Sequence, residues 1–189
     1  QAQVLERGNQ MNEQMIELVS DLLDVARIES GKLHYDLKPI DVGTLLSGIQ
    51  ALYISKQQER NVSLSVPIPP SGQYAVRADE LRLRMVFQNL LDNAFKFTPS
   101  GGKVEVSFIP KASMMQFTVN DSGIGVSQEE LPNLFTKFFR ARNAMAMDTR
   151  GTGLGLYIVD NIVRMHGGNI SVSSELGKGT TFTFTIPLA

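Results

Sequence analysis

The sequence contains no cysteine among its 189 residues. This absence excludes disulfide bonds and thiolate metal sites, and it suits a reducing compartment. The sequence also lacks an excess of either charge, because it contains 18 Lys and Arg residues and 19 Asp and Glu residues, for a net charge of −1. A nucleic-acid partner would favour a basic surplus, so we expect no nucleic-acid binding. No apolar run approaches the roughly 18–20 residues that a membrane-spanning helix needs.

The material for a folded core is present, because hydrophobic residues make up 42% of the chain. Its length predicts one ordinary domain with an appendage. The chain begins with Gln1 rather than Met and shows no signal peptide, and we expect it to be a piece of a longer protein.

The first 30 residues are predicted to form one long amphipathic helix that ends near Gly31. Met15, Val19, Leu22 and Ala26 follow one another at the spacing of a helical-bundle seam, and further apolar residues widen this stripe. No similar helix is adjacent in the sequence. The partner of the stripe is therefore expected to be absent from this sequence or to come from another chain.

Glycines, prolines and changes of period divide the rest of the chain into shorter elements. The pattern predicts extended chain over 32–40, helices over 41–60, 79–97, 128–140 and 153–166, strands over 62–69, 103–109 and 114–121, and two more strands within 169–188. Residues 141–150 have no period and are predicted to form a loop. The predicted class is α+β, with one sheet and helices packed on one face.

Polar residues gather on one side of the helix predicted over 79–97. Asn89, Asn93 and Lys96 lie within about 60° of one another on a helical projection, opposite the apolar stripe. An amide oxygen is a ligand for Mg²⁺, and a lysine one turn further along can contact the phosphates that bind the same ion. Alternatively, the three residues only solvate the outer face of the helix.

A carboxylate follows the strand in FTVNDSGIGV. Asp121 continues the phase of Phe117 and Val119, so it is expected to lie in line with a buried apolar face, where a lone charge is unfavourable. Gly123 and Gly125 permit a ligand to approach closely, and the carboxylate could accept a hydrogen bond from the amino group of a base. Alternatively, Asp-Ser-Gly is a plain turn at the end of a strand.

Three glycines alternate in GTGLGLYIV, before an apolar stretch that is predicted to be helical. The spacing of Gly151, Gly153 and Gly155 differs from the dinucleotide-binding pattern, and the absence of a following Gly-Lys-Ser/Thr excludes a Walker loop. Backbone amides at a helix start favour an anion. Alternatively, the glycines only allow tight packing at the N-cap.

Two further segments complete the set. In LFTKFFRAR, Phe135, Phe138 and Phe139 have helical spacing that is typical of core packing, and Arg140 could reach a phosphate. The segment GKGTTF (177–182) is predicted to be a turn between strands.

The order of these motifs resembles the N, G1, F, G2 and G3 boxes of sensor histidine kinases. The five segments are NLLDNAFKF, DSGIG, LFTKFF, GTGLGL and HGGNISVSSELGKGTTFTF. They cover about residues 40–188, essentially a whole catalytic ATP-binding domain of the gyrase, Hsp90, histidine kinase and MutL superfamily. The segment LVSDLLDVARIESGKL is similar to the end of the second dimerisation helix that precedes this domain in the family.

The resemblance implies a two-layer α/β sandwich in which ATP lies between strands of the sheet and a mobile lid, here residues 141–150. Residues 1–37 would be the second dimerisation helix with its linker, and residues 38–189 the catalytic ATP-binding domain. The expected fold is thus α+β, preceded by one long helix of a dimerisation bundle.

The resemblance also assigns roles at the phosphate end of the nucleotide. Asn93 stands in the place of the Mg²⁺ ligand, Asn89 and Lys96 in the places of phosphate contacts, and Arg140 could contact the γ-phosphate. Asn89, Lys96 and Arg140 are therefore the expected catalytic residues, and Phe97 is expected to contact the cofactor.

At the other end of the nucleotide, Asp121 stands in the place of the residue that accepts the adenine amino group, supported by Gly123 and Gly125. Thr181 is placed to help at the adenine through water. The glycine-rich loop is implied to be the hinge of the lid and the cradle for the phosphates. Its expected cofactor-binding members are Gly151, Thr152, Gly153, Leu154, Gly155 and Leu156.

The phosphoacceptor is where this sequence departs from the family, which phosphorylates a histidine beside an acidic residue on the first dimerisation helix. His34 is expected in extended chain and His166 at a helix end, and neither has an acidic neighbour. His34 is the less favoured alternative acceptor, because its position and surroundings differ from those in the family. We therefore expect the acceptor helix to lie outside this sequence and to be the missing partner of the apolar stripe.

The resemblance implies that the chain is the catalytic part of a kinase that transfers the γ-phosphoryl group of ATP to this histidine. Its cofactors would be ATP and Mg²⁺, and its partners ADP, the receiver domain of a response regulator and a second subunit, bound through the N-terminal helix. This portion would be cytoplasmic, in a full-length protein that can be anchored in the bacterial inner membrane.

Two alternatives remain beside the kinase. One is an ATPase that drives conformational change, as in gyrase or MutL, but such proteins have a further domain and an acidic residue where this chain has Asn89. The other is a non-catalytic module that only holds a nucleotide or a partner. The presence of Asn93 and Asp121 argues against that module, although both residues indicate binding rather than turnover.

Overall fold

The structure is a computed structural model that describes residues 2–31, 34–148 and 151–189. In these residues, helices precede, separate and cover the strands. The elements are α1 (Ala2–Glu29), β1 (Lys38–Asp41), α2 (Val42–Leu52), α3 (Ile54–Arg60), β2 (Ser63–Ser65), β3 (Ala75–Ala78), α4 (Glu80–Phe97), β4 (Lys103–Lys111), β5 (Met114–Asp121), a 3₁₀ turn (Leu131–Asn133), α5 (Arg142–Met147), α6 (Gly155–Met165), β6 (Ile170–Glu175) and β7 (Gly179–Pro187).

The described strands form two sheets. The larger sheet has the order β2–β4–β5–β7–β6, with β2 parallel to β4 and the other neighbours antiparallel. β1 and β3 form a separate antiparallel pair, connected to the end of β7 by a bridge between Val76 and Leu188. The prediction of one sheet is therefore wrong. β1 and β3 have only four residues each, which is too short for a strand period to be recognised in the sequence.

Helices α4 and α6 pack against the larger sheet and against each other, which confirms the predicted two-layer α+β sandwich. The apolar face of α4 meets the sheet at a cluster of aromatic rings. Phe87 contacts Phe117 of β5 and Phe184 of β7 edge to face, with ring centroids 5.3 and 5.2 Å apart, and all three side chains are fully buried. This packing fixes which face of α4 remains available for a site.

Helix α1 confirms the predicted N-terminal helix, and Gly31 follows it in the left-handed conformation at φ +63°. Helix α1 contacts α6, and its Val25 is buried. The predicted apolar stripe is exposed, since Met15, Val19 and Leu22 keep 62%, 50% and 42% of their accessible surface.

Several predicted boundaries are wrong. The helix predicted over 41–60 is divided into α2 and α3 at Tyr53, whose side chain is buried and donates a hydrogen bond to Asp92 of α4. The strand predicted over 62–69 is limited to β2, because prolines follow and cannot donate to a ladder.

The helix predicted over 128–140 is also wrong. Only the 3₁₀ turn at Leu131–Asn133 forms there, and Phe138 has φ +62°, which no α-helix contains. The helical spacing of its phenylalanines therefore does not reflect a helix. Conversely, the predicted loop at 141–150 contains the short helix α5, whose Ala and Met residues are good helix formers. Residues 149 and 150 lie outside the described residues.

Candidate functional site

A cavity of about 400 Å³ opens between α4, the end of β5, the region around α5 and the start of α6. Its size is that of a small-molecule site. Most of the residues proposed from the sequence line it. They are Asn89, Asn93, Lys96, Phe97, Asp121, Gly125, Arg140, Gly151, Thr152, Gly153, Gly155 and Leu156.

Asp121 marks one end of the cavity, at the end of β5. Its side chain keeps only 7% of its accessible surface, as the alternation of the strand predicted. Oδ1 accepts hydrogen bonds from the backbone amides of Gly123 at 2.8 Å and Thr180 at 3.3 Å. No described residue donates to Oδ2, so this oxygen remains available on the cavity side.

Burial dominates the electrostatics of this carboxyl group. It raises the pKa of Asp121 from 3.8 to about 6, although the two backbone amides lower it in part. The cavity residues that follow Asp121 in the chain, Ile124 and Val126, are apolar, and Phe182 lies nearby on β7. This end of the cavity therefore combines one acceptor with surfaces on which a flat ring could pack.

The expected role of Thr181 needs correction, because its side chain does not line the cavity. Its hydroxyl donates to Asn120 Oδ1 at 2.7 Å, and the preceding residue, Thr180, lines the cavity. Successive side chains of a strand point to opposite faces, so an error of one residue exchanges the faces. Thr180 is buried and its hydroxyl shares a hydrogen bond of 3.0 Å with Ser174.

Two other expected residues lie behind the cavity wall instead of in it. The amide of Gly123 holds the Asp121 carboxylate, and a Cβ at Gly123 would come 2.6 Å from Asp121 Oδ1 and from the Phe97 carbonyl oxygen. Leu154 is fully buried, and its amide donates to the hydroxyl of Thr152 at 3.1 Å. Both support residues that do line the site.

The other end of the cavity carries the cations. Lys96 forms an ion pair with Asp148, at 3.6 Å between Nζ and Oδ2, and its ammonium lies 5.4 Å from the ring centroid of Phe97. The guanidinium of Arg140 donates to the backbone carbonyl oxygen of Asp148 at 2.5 Å. Two positive side chains from separate elements thus meet at one place.

The two asparagines of α4 differ in their surroundings. Asn89 donates from Nδ2 to the Met85 carbonyl oxygen at 3.0 Å, which directs Oδ1 towards the start of α6. Asn93 lines the cavity, and its amide has no hydrogen-bond partner among the described residues. An amide oxygen in the same cavity as Lys96 and Arg140 fits Mg²⁺, which completes its coordination with water and phosphate. No cluster of three acidic, histidine or cysteine side chains that could hold a metal occurs in the described part of the chain.

The glycine-rich loop approaches α4 more closely than other residue types would allow. Gly155 begins α6, and a Cβ there would come 2.4 Å from Asn89 Oδ1. Gly153 has φ +71°, and its carbonyl oxygen accepts a hydrogen bond from the amide of Phe138 at 3.0 Å. The structure thus brings together the loop and the polar face of α4, which lie about 60 residues apart in the sequence.

Asp21 of α1 also reaches the cavity, and no sequence pattern pointed to it. Its carboxylate accepts a hydrogen bond of 2.6 Å from the hydroxyl of Thr152, and burial raises its pKa. One turn further along, Asp24 pairs with Arg82 of α4 at 3.3 Å. Docking of α1 supplies this part of the wall, which could not be inferred from residues so distant in the sequence.

Neither histidine lines the cavity. His166 keeps 3% of its accessible surface; Nε2 accepts from the amide of Asp79 at 3.0 Å, and Nδ1 is 2.7 Å from the Ile162 carbonyl oxygen. Burial lowers the pKa of His166. Its contacts join α4 to the end of α6. His34 is exposed in the segment before β1.

Comparison with known proteins identifies the family of this chain. The sequence pattern of the family described as histidine kinase-, DNA gyrase B-, and HSP90-like ATPase matches residues 78–189, which is more than half of the chain. The circadian input-output histidine kinase CikA of Synechococcus elongatus is 35% identical over 176 residues. That match covers 93% of this chain but only 23% of CikA, so the chain spans less than a quarter of this relative.

Two solved structures are similar in fold. Full-length ShkA, in complex with AMPPNP, superposes on all of this chain with a TM-score of 0.81 and 28% identity, and 39% of ShkA is covered. The catalytic domain of the histidine kinase ThkA covers 80% of this chain and is itself covered to 95%, with a TM-score of 0.65 and 25% identity. Among the described helices, none is long and apolar enough to cross a membrane.

Proposed function

The chain belongs to the family of histidine kinase-, DNA gyrase B- and HSP90-like ATPases, and we propose that it is the ATP-binding catalytic part of a sensor histidine kinase. One observation carries the proposal. A single cavity has the buried acceptor Asp121 at one end and the cations Lys96 and Arg140 at the other. This polarity matches a nucleoside triphosphate, with a base that donates hydrogen bonds and a phosphate chain that is negatively charged.

At the base end, Asp121 Oδ2 accepts the hydrogen bond of the adenine amino group, while Oδ1 stays fixed by backbone amides. Thr180 takes the place first expected for Thr181, because its side chain lines the cavity. Gly125 and the apolar side chains of Ile124 and Val126 border the ring.

At the phosphate end, Lys96 and Arg140 neutralise charge that develops on the γ-phosphoryl group during transfer. Asn89 presents its oxygen next to the first residues of α6, and it positions the phosphates together with the amides of the glycine-rich loop. Asn93 would hold Mg²⁺, which supplies charge neutralisation at the phosphate oxygens.

The acceptor of the phosphoryl group is a histidine on a further helix that packs against the exposed stripe of α1. His166 does not qualify because it is buried and both of its ring nitrogens are engaged. The stripe of Met15, Val19 and Leu22 is the apolar surface that such a helix would cover. In the full protein this bundle also forms the homodimer, and the phosphorylated histidine serves the receiver domain of a response regulator.

These roles divide the chain into residues 1–37, from the dimerisation bundle and its linker, and residues 38–189, the catalytic domain. The similarity of the ThkA catalytic domain to 80% of the chain supports this boundary. We place the domain in the cytoplasm, where ATP and the response regulator are found.

Nucleotide binding tests the site. Calorimetric titration with AMPPNP and Mg²⁺ should give a saturable affinity that falls at least tenfold in Asn93→Ala, with an unchanged circular dichroism spectrum. Asn161→Ala is the control, since Asn161 is also an asparagine on a helix but lies outside the cavity. Equal affinities in Asn93→Ala and the wild type would refute the metal role.

Phosphotransfer tests the function. With γ-³²P-ATP, a longer form of the protein that includes the upstream helix should acquire acid-labile, base-stable label, and the 189-residue chain alone should not. Label on the chain alone would assign the acceptor to His34. If ATP is hydrolysed to ADP and free phosphate and neither form of the protein acquires label, the protein is an ATPase rather than a histidine kinase.

A further inference from the structure

The cationic end of the cavity is already in contact with an acidic residue of the lid. Asp148 directly follows α5 and ends that helix, with its amide bonded to the Ala144 carbonyl oxygen at 3.0 Å. Its position is therefore tied to the position of α5.

Asp148 contacts both cations with different groups. The carboxylate pairs with the ammonium of Lys96 at 3.6 Å, and the backbone carbonyl accepts a hydrogen bond from the guanidinium of Arg140. The two side chains of the ion pair keep only 13% and 24% of their accessible surface. The pair is thus shielded from the solvent that weakens exposed pairs.

We propose that Asp148 is a built-in competitor of the nucleotide phosphates, an inference that rests on the proposed ATP site. Its carboxylate takes the place of a phosphate oxygen at Lys96 when no nucleotide is bound. An incoming phosphate chain displaces it, because the carboxylate and the phosphates repel each other and compete for the same positive charge. Displacement moves Asp148, and with it α5, away from the cations.

This arrangement has two consequences for the protein. Part of the attraction between the cations and the phosphates is offset by the lost contacts of Asp148, so the residue lowers the affinity for the nucleotide. The same exchange couples the position of α5 to occupancy of the site, because Asp148, which ends α5, keeps its ion pair with Lys96 only when the phosphates are absent.

The substitution Asp148→Asn removes the charge and nearly preserves the shape of the side chain. An ion pair of this kind shifts an equilibrium by about fivefold, so AMPPNP should bind about fivefold more tightly to the variant. Adenosine, which has no phosphate, should bind with unchanged affinity. A change that only loosened the fold would alter the affinity for both ligands.

Two controls sharpen the experiment. Asp36→Asn makes the same change of net charge at an exposed site whose carboxylate pairs with Lys38, and it should leave both affinities unchanged. In a Lys96→Met background, Asp148→Asn should have a smaller effect on AMPPNP, because the ion pair between Asp148 and Lys96 is already removed. Asp148→Ala should act in the same direction as Asp148→Asn.

The outcomes separate this inference from the proposed function. If the wild type does not bind AMPPNP, the proposed ATP site fails. If the wild type binds AMPPNP and Asp148→Asn binds it equally well or more weakly, the ATP site stands and competition by Asp148 is refuted.

Discussion

The substitution Asp121→Asn should stabilise the nucleotide-free protein while weakening its binding of nucleotide. Asparagine retains an oxygen that can accept from the amides of Gly123 and Thr180, so the local geometry can persist. What it removes is a negative charge on a side chain that keeps 7% of its accessible surface. Stability and ligand binding should therefore change in opposite directions.

The size of the expected change in stability follows from the pKa of Asp121, which burial raises from 3.8 to about 6. Each pKa unit corresponds to about 1.4 kcal/mol, so the charged form costs the folded state roughly 3 kcal/mol at neutral pH. The folded-state pKa lies above the unfolded one, so the folded state binds the proton more tightly. Stability is therefore lost as the pH rises from about 4 to 6, and the full cost is present above that window.

Thermal unfolding across pH measures this effect. Near pH 7.5 the variant should exceed the wild type by about 2–3 kcal/mol, which for a chain of this size is roughly 4–12 °C in Tm. The difference should shrink as the pH falls through 6 and vanish below about 4, where both side chains are neutral. Affinity for AMPPNP should fall by about tenfold or more, because a hydrogen bond to a charged acceptor is lost.

Three results would refute this reasoning. The variant could be less stable than the wild type at pH 7.5, which would mean that the charge is satisfied in the folded state. The stability difference could be independent of pH, which would assign it to packing. Unchanged affinity for AMPPNP would remove Asp121 from the adenine site.

Two further substitutions test the geometry of the cavity. Thr180→Val should reduce affinity for AMPPNP several-fold in a calorimetric titration, while Thr181→Val should leave it unchanged. If only Thr181→Val reduces the affinity, the adenine role returns to Thr181. Gly155→Ala places a methyl group 2.4 Å from Asn89 Oδ1, so it should displace that amide and lower affinity for AMPPNP by about tenfold, with little change in Tm; full affinity would show that the amide is not needed.

Periodicity explains why some of the site could be predicted. Asn89, Asn93 and Lys96 share one face of α4 because a helix returns to the same side every three to four residues, and the apolar residues between them determine which side is buried. Asp121 follows the same logic with the period of a strand. In both cases the information is local to one element.

The errors arise where a local pattern leaves the answer open. Thr180 and Thr181 are adjacent threonines, and the phase of β7 depends on its pairing with β5 and β6 after the turn. The phenylalanines around residue 138 have helical spacing, yet the chain there turns through a positive φ and donates to Gly153. The spacing of residues in the sequence predicts neither the phase of β7 nor the backbone turn at Phe138.

The sequence by itself determined the fold class, the family resemblance and the faces of α4 and β5 that carry polar groups, because these depend on period and on the order of motifs. Only the tertiary structure decided that Asp21 of α1 joins the cavity wall and that Asp148, which follows α5, pairs with Lys96. These contacts join residues 131 and 52 positions apart in the chain. Their partners are selected by how the helices dock, through packed surfaces and desolvated charges that no local pattern encodes.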